Sequence, residues 1–397
     1  MCIRDSKMAV YLDNNATTAL DEAVLESMLP FMGQVSGNPS SVHRFGRLQK
    51  DAIEQARESV AQLVGARADQ VIFTSGGTES NNLLLNGFCR SIVEHQSNKK
   101  HAGVKADARI AISAIEHMSM IAQIDHLPLP VDKIAADENG YITLQAAQAV
   151  MTENTGLISV MAANNETGVI QDLSPLIELA REGGCFFHTD ASQAAGKMPL
   201  NFVGSGLHAM TISSHKLYGP LGIGALVIDK SLPLSPMKYG GSQERGLSPG
   251  TENIPAIVGF GRAAALAADK LDVRNSHVRE LRDALEKGLS TMHEVTIFAR
   301  QADRLVNTVQ FGVAGFDGEA LLMQLDRKSI AVSSGSACTS SKTEPSHVLA
   351  AMKVPGELAG SAIRVSFGKN NTMSDVQVFL RALNDILETN RHSAVMM

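Results

Sequence analysis

The chain has 397 residues, 44% of them apolar and 19% charged, and a formal net charge of −6. That is long enough for two or three cores, has the make-up of a folded enzyme rather than a disordered or fibrous chain, and offers no basic field for nucleic acid. No apolar run approaches the roughly 20 residues that span a bilayer, and the N-terminus lacks the succession of a secretory signal; neither membrane nor nucleic acid is an expected partner, and the expected location is cytoplasmic.

Residues 1–7 are unlike the rest of the chain, and Met8, just ahead of Ala9-Val10-Tyr11-Leu12-Asp13, reads as a native start. Cys2 is therefore set aside from the chemistry. From about residue 60 to 229, short β-rich runs alternate with helical stretches. The runs cover 71–74, 109–114, 157–161, 185–189, 210–213 and 224–228. Helices are predicted over 81–95, 118–127 and 174–183, the last opening Ser-Pro and ending Gly-Gly as a capped helix does. That rhythm predicts an α/β unit with a mostly parallel sheet, and the runs are continuously apolar, as strands covered on both faces are.

After a Gly/Pro/Ser-rich passage over 238–255 the pattern changes. A long helix over about 256–292 is followed by a strand (308–312), a helix (318–326), a Ser-rich loop (333–341), a strand (363–367) and a final helix from Ser374. These predict a second, smaller α+β unit. The expected division is a large α/β domain over 12–260 and a small α+β domain over 261–397, joined by residues 1–11.

In an open α/β sheet, ligands bind beyond the carboxyl ends of the strands. Five predicted strand ends here carry a Gly/Thr loop (Ser75-Gly76-Gly77-Thr78), His117, the pair Asn164-Asn165, Asp190 and Lys216. The Gly/Thr loop follows a strand and opens a helix, a place where backbone N–H groups and the helix dipole can take an anion; as an alternative it is an ordinary turn with a capping Thr. It matches neither the dinucleotide fingerprint nor the P-loop. Asp190 ends an apolar run and needs a donor partner if buried; it reads equally as a helix cap or as the carboxylate that keeps a pyridoxal-phosphate ring nitrogen protonated. Lys216, in Ser213-Ser214-His215-Lys216-Leu217-Tyr218-Gly219-Pro220, lies close to an apolar strand, where desolvation would lower its pKa and suit it to form a Schiff base. It stands 26 residues beyond Asp190, about one α/β unit, so both are expected at the same rim.

The chain has four cysteines and no close pair of the kind zinc sites use. Cys89 and Cys185 stand in apolar stretches and read as buried small hydrophobes. Cys338 differs: Ser333-Ser334-Gly335-Ser336-Ala337-Cys338-Thr339-Ser340-Ser341 is too small and polar to bury anything and is expected to be a flexible exposed loop. An exposed thiol without a task is a liability.

Tyr11 to Thr18, Gly37-Asn38-Pro39-Ser40-Ser41, Thr74 to Asn82, Asn164-Asn165-Glu166-Thr167-Gly168, His188 to Lys197, Ser213 to Pro220, Gln243-Glu244-Arg245-Gly246, Ser333 to Ser340 and Ile363-Arg364-Val365-Ser366 together resemble the cysteine desulfurases of the NifS/IscS type, which are fold-type-I pyridoxal-phosphate enzymes. The resemblance implies that L-cysteine is converted to L-alanine with a persulfide left on Cys338, and that pyridoxal 5'-phosphate is the cofactor. It implies Lys216 as the cofactor-bound lysine and proton shuttle, and His117 as the residue stacked on the ring and a catalytic acid–base group. Asp190 would meet the ring nitrogen and Gln193 the phenolic oxygen. Gly77, Thr78, Ser213 and His215 would hold the phosphate, with Thr251 reaching across a homodimer. Arg364 would clamp the substrate carboxylate, assisted by Asn165 and Asn38. Ser248 stands where the family usually has Arg, and Leu221 replaces a common Lys. The C-terminus lacks the longer tail with which housekeeping members engage an iron–sulfur scaffold, so that scaffold or another sulfur acceptor is the open partner. Selenocysteine lyase, and a β-lyase or aminotransferase on the same fold, are the rival activities.

Overall fold

The computed structural model describes residues 9–98, 107–334 and 346–395. The chain enters through a two-residue strand, β1 (Val10–Tyr11), and then builds a seven-stranded sheet. Its strands are β2 (Val71–Thr74), β3 (Arg109–Ser113), β4 (Val131–Ile134), β5 (Thr155–Ser159), β6 (Phe186–Asp190), β7 (Ala209–Ser213) and β8 (Gly224–Ile228). They lie in the order β2-β8-β7-β6-β5-β3-β4. Only β8 runs against its neighbours; the pairs from β7 across to β4 are parallel.

Alternation along each strand sorts the apolar side chains onto two faces, because successive side chains point to opposite sides. Phe73, Ala111, Ile158, Phe187, Ile212 and Val227 belong to one core cluster, which also takes Ile53 and Val60 from the helix Arg44–Leu63 and Phe260 from the helix Ile254–Asp269. Ile72, Ile110, Ile112, Leu157 and Leu226 face the other way, onto Leu84, Leu85 and Phe88 of the helix Gly77–Asn98. Helices thus cover both faces, and the continuous apolar runs follow from that double burial. Strand β4 was not foreseen. Its Val131-Asp132-Lys133-Ile134 carries two charges, which an edge strand tolerates; Asp132 is bonded by Arg109 of the neighbouring strand at 2.6 and 2.7 Å.

The helix expected over 256–292 is two helices, Ile254–Asp269 and Leu271–Leu289, with Lys270 in a non-helical conformation between them. The first packs on the large sheet as far as Ala267, whereas Val278, Leu281, Leu285 and Leu289 of the second belong to a separate cluster. The break is where the chain changes cores. The helix expected over 118–127 shrinks to Met118–Ile121 and a single turn at Ile124–His126.

The second cluster lies on an antiparallel sheet of β9 (Val295–Ile297), β10 (Thr308–Val313), β12 (Ser333–Ser334) and β13 (Ile363–Ser366), in the order β12-β13-β10-β9. The remaining strand, β11 (Ile330–Ala331), pairs in parallel with β1. Ser333 and Ser334, expected in a loop, are opposite Arg364 and Ile363. The final helix, Met373–Val395, seals this sheet with Phe379, Leu383 and Leu387. No helix among the described residues is long and apolar enough to cross a membrane.

The crossing of helices Arg44–Leu63 and Ile254–Asp269 depends on Gly261, where an added Cβ would lie 2.5 Å from Ala56 Cα and 2.6 Å from its Cβ. Gly261→Ala is expected to cost about 1–3 kcal/mol by overpacking. Denaturant unfolding checks this; an unchanged midpoint would mean that the two helices can separate freely.

Candidate active site

The rim beyond the carboxyl ends of β2, β3, β5, β6 and β7 gathers polar side chains into a connected array. At the end of β6, Asp190 is 5% exposed and has no counter-ion in hydrogen-bond contact among the described residues. One carboxylate oxygen accepts from Ser192 N at 2.9 Å, a local cap, and the other accepts from Asn81 Nδ2 at 2.8 Å. Asn81, near the start of the helix Gly77–Asn98, also donates to Ser119 Oγ at 2.8 Å. Ser119 in turn lies against His117: its N–H donates to Nδ1 at 3.1 Å and its hydroxyl is 2.8 Å from the same nitrogen. An Nδ1 that accepts a backbone N–H leaves the ring proton of a neutral imidazole on Nε2. Burial holds His117 below its usual pKa, against the pull of Asp190 and with help from Lys216 and His347.

Lys216 ends a single turn, Ser214–Lys216, immediately after β7. Its Nζ donates to the carbonyls of Asn15 and Ala16 at 2.7 and 2.8 Å. The Asn15 carbonyl also accepts from Gln193 Nε2 at 3.0 Å. Thus Lys216 and Gln193 share one acceptor.

Near the N-terminus of the helix Gly77–Asn98, a Cβ added at Gly77 would lie 3.1 Å from Ser192 Oγ and 3.7 Å from Ser213 Cβ. The Ser192 hydroxyl is buried with no hydrogen-bond partner among the described residues. His215 Nδ1 is 3.2 Å from Thr17 Oγ1, and burial, then the Lys216 and Lys197 charges, push its pKa down to about 4. Thr78, next to Gly77 in the chain, is exposed.

Arg364, on β13, is 4% exposed. Its guanidinium donates to Asp13 Oδ1 at 2.8 Å and to the Asn165 carbonyl at 3.0 Å, while Nε has no partner among the described residues. Asn165 therefore meets Arg364 through its backbone. Asn38 and Thr251, both expected here, make no hydrogen bond to this array among the described residues. Asn38 is exposed, with its side chain accepting from Ser40 N within its own turn, and Thr251 is exposed on the segment before the helix Ile254–Asp269. Cys338 lies outside the described residues. Leu221 is 70% exposed.

Asn15, Asn81, Ser119, Ser192 and Asp13 were missed as site residues by sequence reasoning. Asn15 and Asn81 stand inside recognisable motifs, but an Asn in a turn or in the first turns of a helix reads as local capping. What each side chain reaches across the fold is a property of the packing.

Glu116, next to His117, is fully buried; Oε1 accepts from Ser113 Oγ at 2.5 Å and from Met161 N at 2.6 Å. Burial pushes its pKa up to about 8, with the Ser113 bond opposing and Asp190 adding. A carboxyl with a raised folded-state pKa contributes stability below its unfolded value and loses it as pH rises through the folded value. Glu116→Gln is therefore expected to flatten the fall in melting temperature from about pH 4.5 to pH 8. Thermal unfolding across that range tests this, and parallel curves for the two proteins would contradict it.

Cys89 and Cys185 are buried, and burial pushes both thiols up to about 11. At pH 8 each should hold about a hundredfold less thiolate than an ordinary thiol. Brief alkylation of the native protein should leave both peptides unmodified by mass, and denaturation should expose them.

The mostly parallel sheet covered by helices on both faces, with a small antiparallel sheet beside it, is the fold of the fold-type-I pyridoxal-phosphate enzymes. Residues 10–379 match the family model "Aminotransferase class-V". A "Cysteine desulfurase IscS" of Dictyoglomus turgidum is 40% identical over 389 residues, which cover 96% of this chain and 95% of that one. Among solved structures, a "NifS-like protein" superposes with a TM-score of 0.88 at 33% identity, covering 96% of this chain and 100% of the other. A structure titled "SspA in complex with cysteine" follows at a TM-score of 0.77 and 27% identity, with coverage of 91% and 100%. The chain belongs to the class-V aminotransferase family and, within it, to the cysteine desulfurases of the NifS/IscS type.

Proposed function

We propose that this protein is a cysteine desulfurase that uses pyridoxal 5'-phosphate to take sulfur from L-cysteine, releasing L-alanine and leaving a persulfide on Cys338. The observation that carries the reading is the convergence at one rim of a donor-held carboxylate (Asp190), an imidazole whose Nδ1 accepts a backbone N–H (His117) and the Lys216 amine. The donor set fits the cofactor. The unpartnered Ser192 hydroxyl beside Gly77, at the head of a 22-residue helix, suits a phosphate oxygen, and a buried carboxylate without a counter-ion suits a protonated ring nitrogen.

Pyridoxal phosphate, when bound, supplies an electron sink for the α-carbon of an amino acid. The residues of this chain do the rest. Gly77, Thr78, Ser192, Ser213 and His215 would hold the phosphate; Asp190 would keep the ring nitrogen protonated; Gln193 would donate to the phenolic oxygen; His117 would pack against the ring. Lys216 would be the lysine that holds the cofactor, and its Nζ would be the base that takes the proton from the substrate α-carbon. Arg364 and Asn165, with Asn38, orient the substrate carboxylate. The Arg364 pair with Asp13 keeps the guanidinium in place without using all five of its donors. The Cys338 thiolate then attacks the substrate sulfur. An S–S bond forms as the substrate C–S bond breaks, and the carbon takes a proton on the way to alanine.

The active unit of this proposal is a homodimer, in which an exposed Thr251 reaches the phosphate of the second subunit. The two-domain division is also part of it. Because the helix Ile254–Asp269 packs on the large sheet nearly to its end, a boundary at Lys270 is favoured over residue 260. The persulfide sulfur passes to an iron–sulfur scaffold or another acceptor protein.

L-Cysteine with a reductant should yield equal alanine and sulfide, and Lys216→Ala should abolish both. Cys338→Ser should still bind L-cysteine and change the cofactor spectrum, yet lower alanine release by at least about a hundredfold. Full alanine production by Cys338→Ser would point instead to a β-lyase, in which that thiol has no part.

A further inference from the structure

Lys197 stands seven residues beyond Asp190, at the end of the turns that follow β6. Its Nζ donates to Gln193 Oε1 at 2.8 Å and to Asn15 Oδ1 at 3.2 Å. The other end of the Gln193 amide, Nε2, donates to the Asn15 carbonyl at 3.0 Å, the same oxygen that accepts Lys216 Nζ. Lys197 has no carboxylate among its hydrogen-bond partners in the described residues. The charged and titratable groups that act on it are Lys216, Arg364 and His215; Asp13 is bonded to Arg364. Burial, with Lys216 and Arg364 adding, pushes the lysine down to about 7. Keeping an amine in such surroundings costs stability, and no ion pair among the described residues offsets it.

A side-chain amide has two ends of nearly equal size and opposite hydrogen-bonding character, so its direction is set by its neighbours. In its protonated form the lysine has three donors and no acceptor, and then it admits only the oxygen end. We infer that Lys197 is a positioning residue that locks the Gln193 amide with Oε1 toward itself, so that Nε2–H, and never Oε1, faces the phenolic oxygen of the cofactor. The inference rests on the reading of this site as one for pyridoxal phosphate. A donor facing that oxygen stabilises its anion and lowers the pH at which the bound chromophore titrates. An amide free to turn would place oxygen against oxygen and raise it.

The test is a pH titration of the visible absorbance of the full-length holoenzyme. Lys197→Met is expected to keep bound cofactor and to raise the titration midpoint by about one pH unit, a tenfold change in proton affinity and the usual scale for one neighbouring donor or charge. Lys197→Gln, whose amide can still donate to Oε1, should recover at least half of that shift. In a Gln193→Ala background, Lys197→Met should add almost nothing, since there is no amide left to orient. A wild-type midpoint in Lys197→Met overturns the inference. So does a full shift that persists in the Gln193→Ala background, which would mean that the lysine charge acts alone. Should methionine at position 197 prevent folding, Lys197→Gln carries the test: combined with Gln193→Ala it must titrate as Gln193→Ala does, and separate midpoints overturn the idea. A wild-type protein that gains no visible absorbance with added pyridoxal phosphate would instead sink the cofactor reading, so the two failures are distinguishable.

Discussion

The rest of the site depends on the demand that one buried residue, Asn15, have every polar group satisfied. It is 1% exposed, and an unpaired buried amide or carbonyl costs on the order of 1–3 kcal/mol. Its N–H donates to Ser366 Oγ and its Nδ2 to Thr308 Oγ1 and the Asn165 carbonyl. Its Oδ1 accepts from Asn307 and Lys197, and its carbonyl from Gln193 and Lys216. The donors and acceptors come from the segments after β5, β6 and β7 on one side and from β10 and β13 on the other. Satisfying this one residue therefore holds the two sheets in register.

That arrangement also sets the electrostatics. Lys216, Lys197, Arg364 and His215 lie close enough to influence one another, and among them Asp13 pairs only with Arg364. Like charges in a desolvated region push each other toward neutrality. A site of this kind prefers an anionic occupant, and a lysine within it can lose its proton near neutral pH. On the other side of the array, Asp190 is held by neutral donors, Asn81 and Ser192, rather than by a cation. The carboxylate keeps its field directed into the site instead of spending it on an ion pair. Ser119 and His117 continue the same chain of hydrogen bonds, so the acid, the amide, the hydroxyl and the imidazole are oriented together.

Glu166 extends the connection to the second sheet. It is buried and accepts from Gln310 of β10 at 3.3 Å and from Ser346 at 2.5 Å, beside the Asn165 carbonyl that Arg364 uses. Across β13, Ser333 is paired with Arg364 itself. The residues that flank 335–345 are thus fastened at both ends to the neighbourhood of the guanidinium, which is why the small sheet matters to chemistry centred on the large one.

By itself the sequence determined the class of fold and the family. Continuous apolar runs at α/β spacing are those of a sheet covered on both faces, and motifs in that number and order resemble those of the NifS/IscS-type cysteine desulfurases. It also marked the strand ends at which His117, Asp190 and Lys216 stand, because a polar group just past an apolar strand is visible in the chain alone. Local signals misjudged β4, whose charges only an edge position tolerates, and the single helix over 256–292, whose break at Lys270 reflects two cores rather than a helix-breaking residue. Only the tertiary structure decided which groups meet. Asn15 touches residues 150 to more than 350 positions away, and Asn81 reaches Asp190 across 109. Hydrogen bonds act over about 3 Å, so partners so far apart in sequence are chosen by the packing of sheets and helices and leave no local trace.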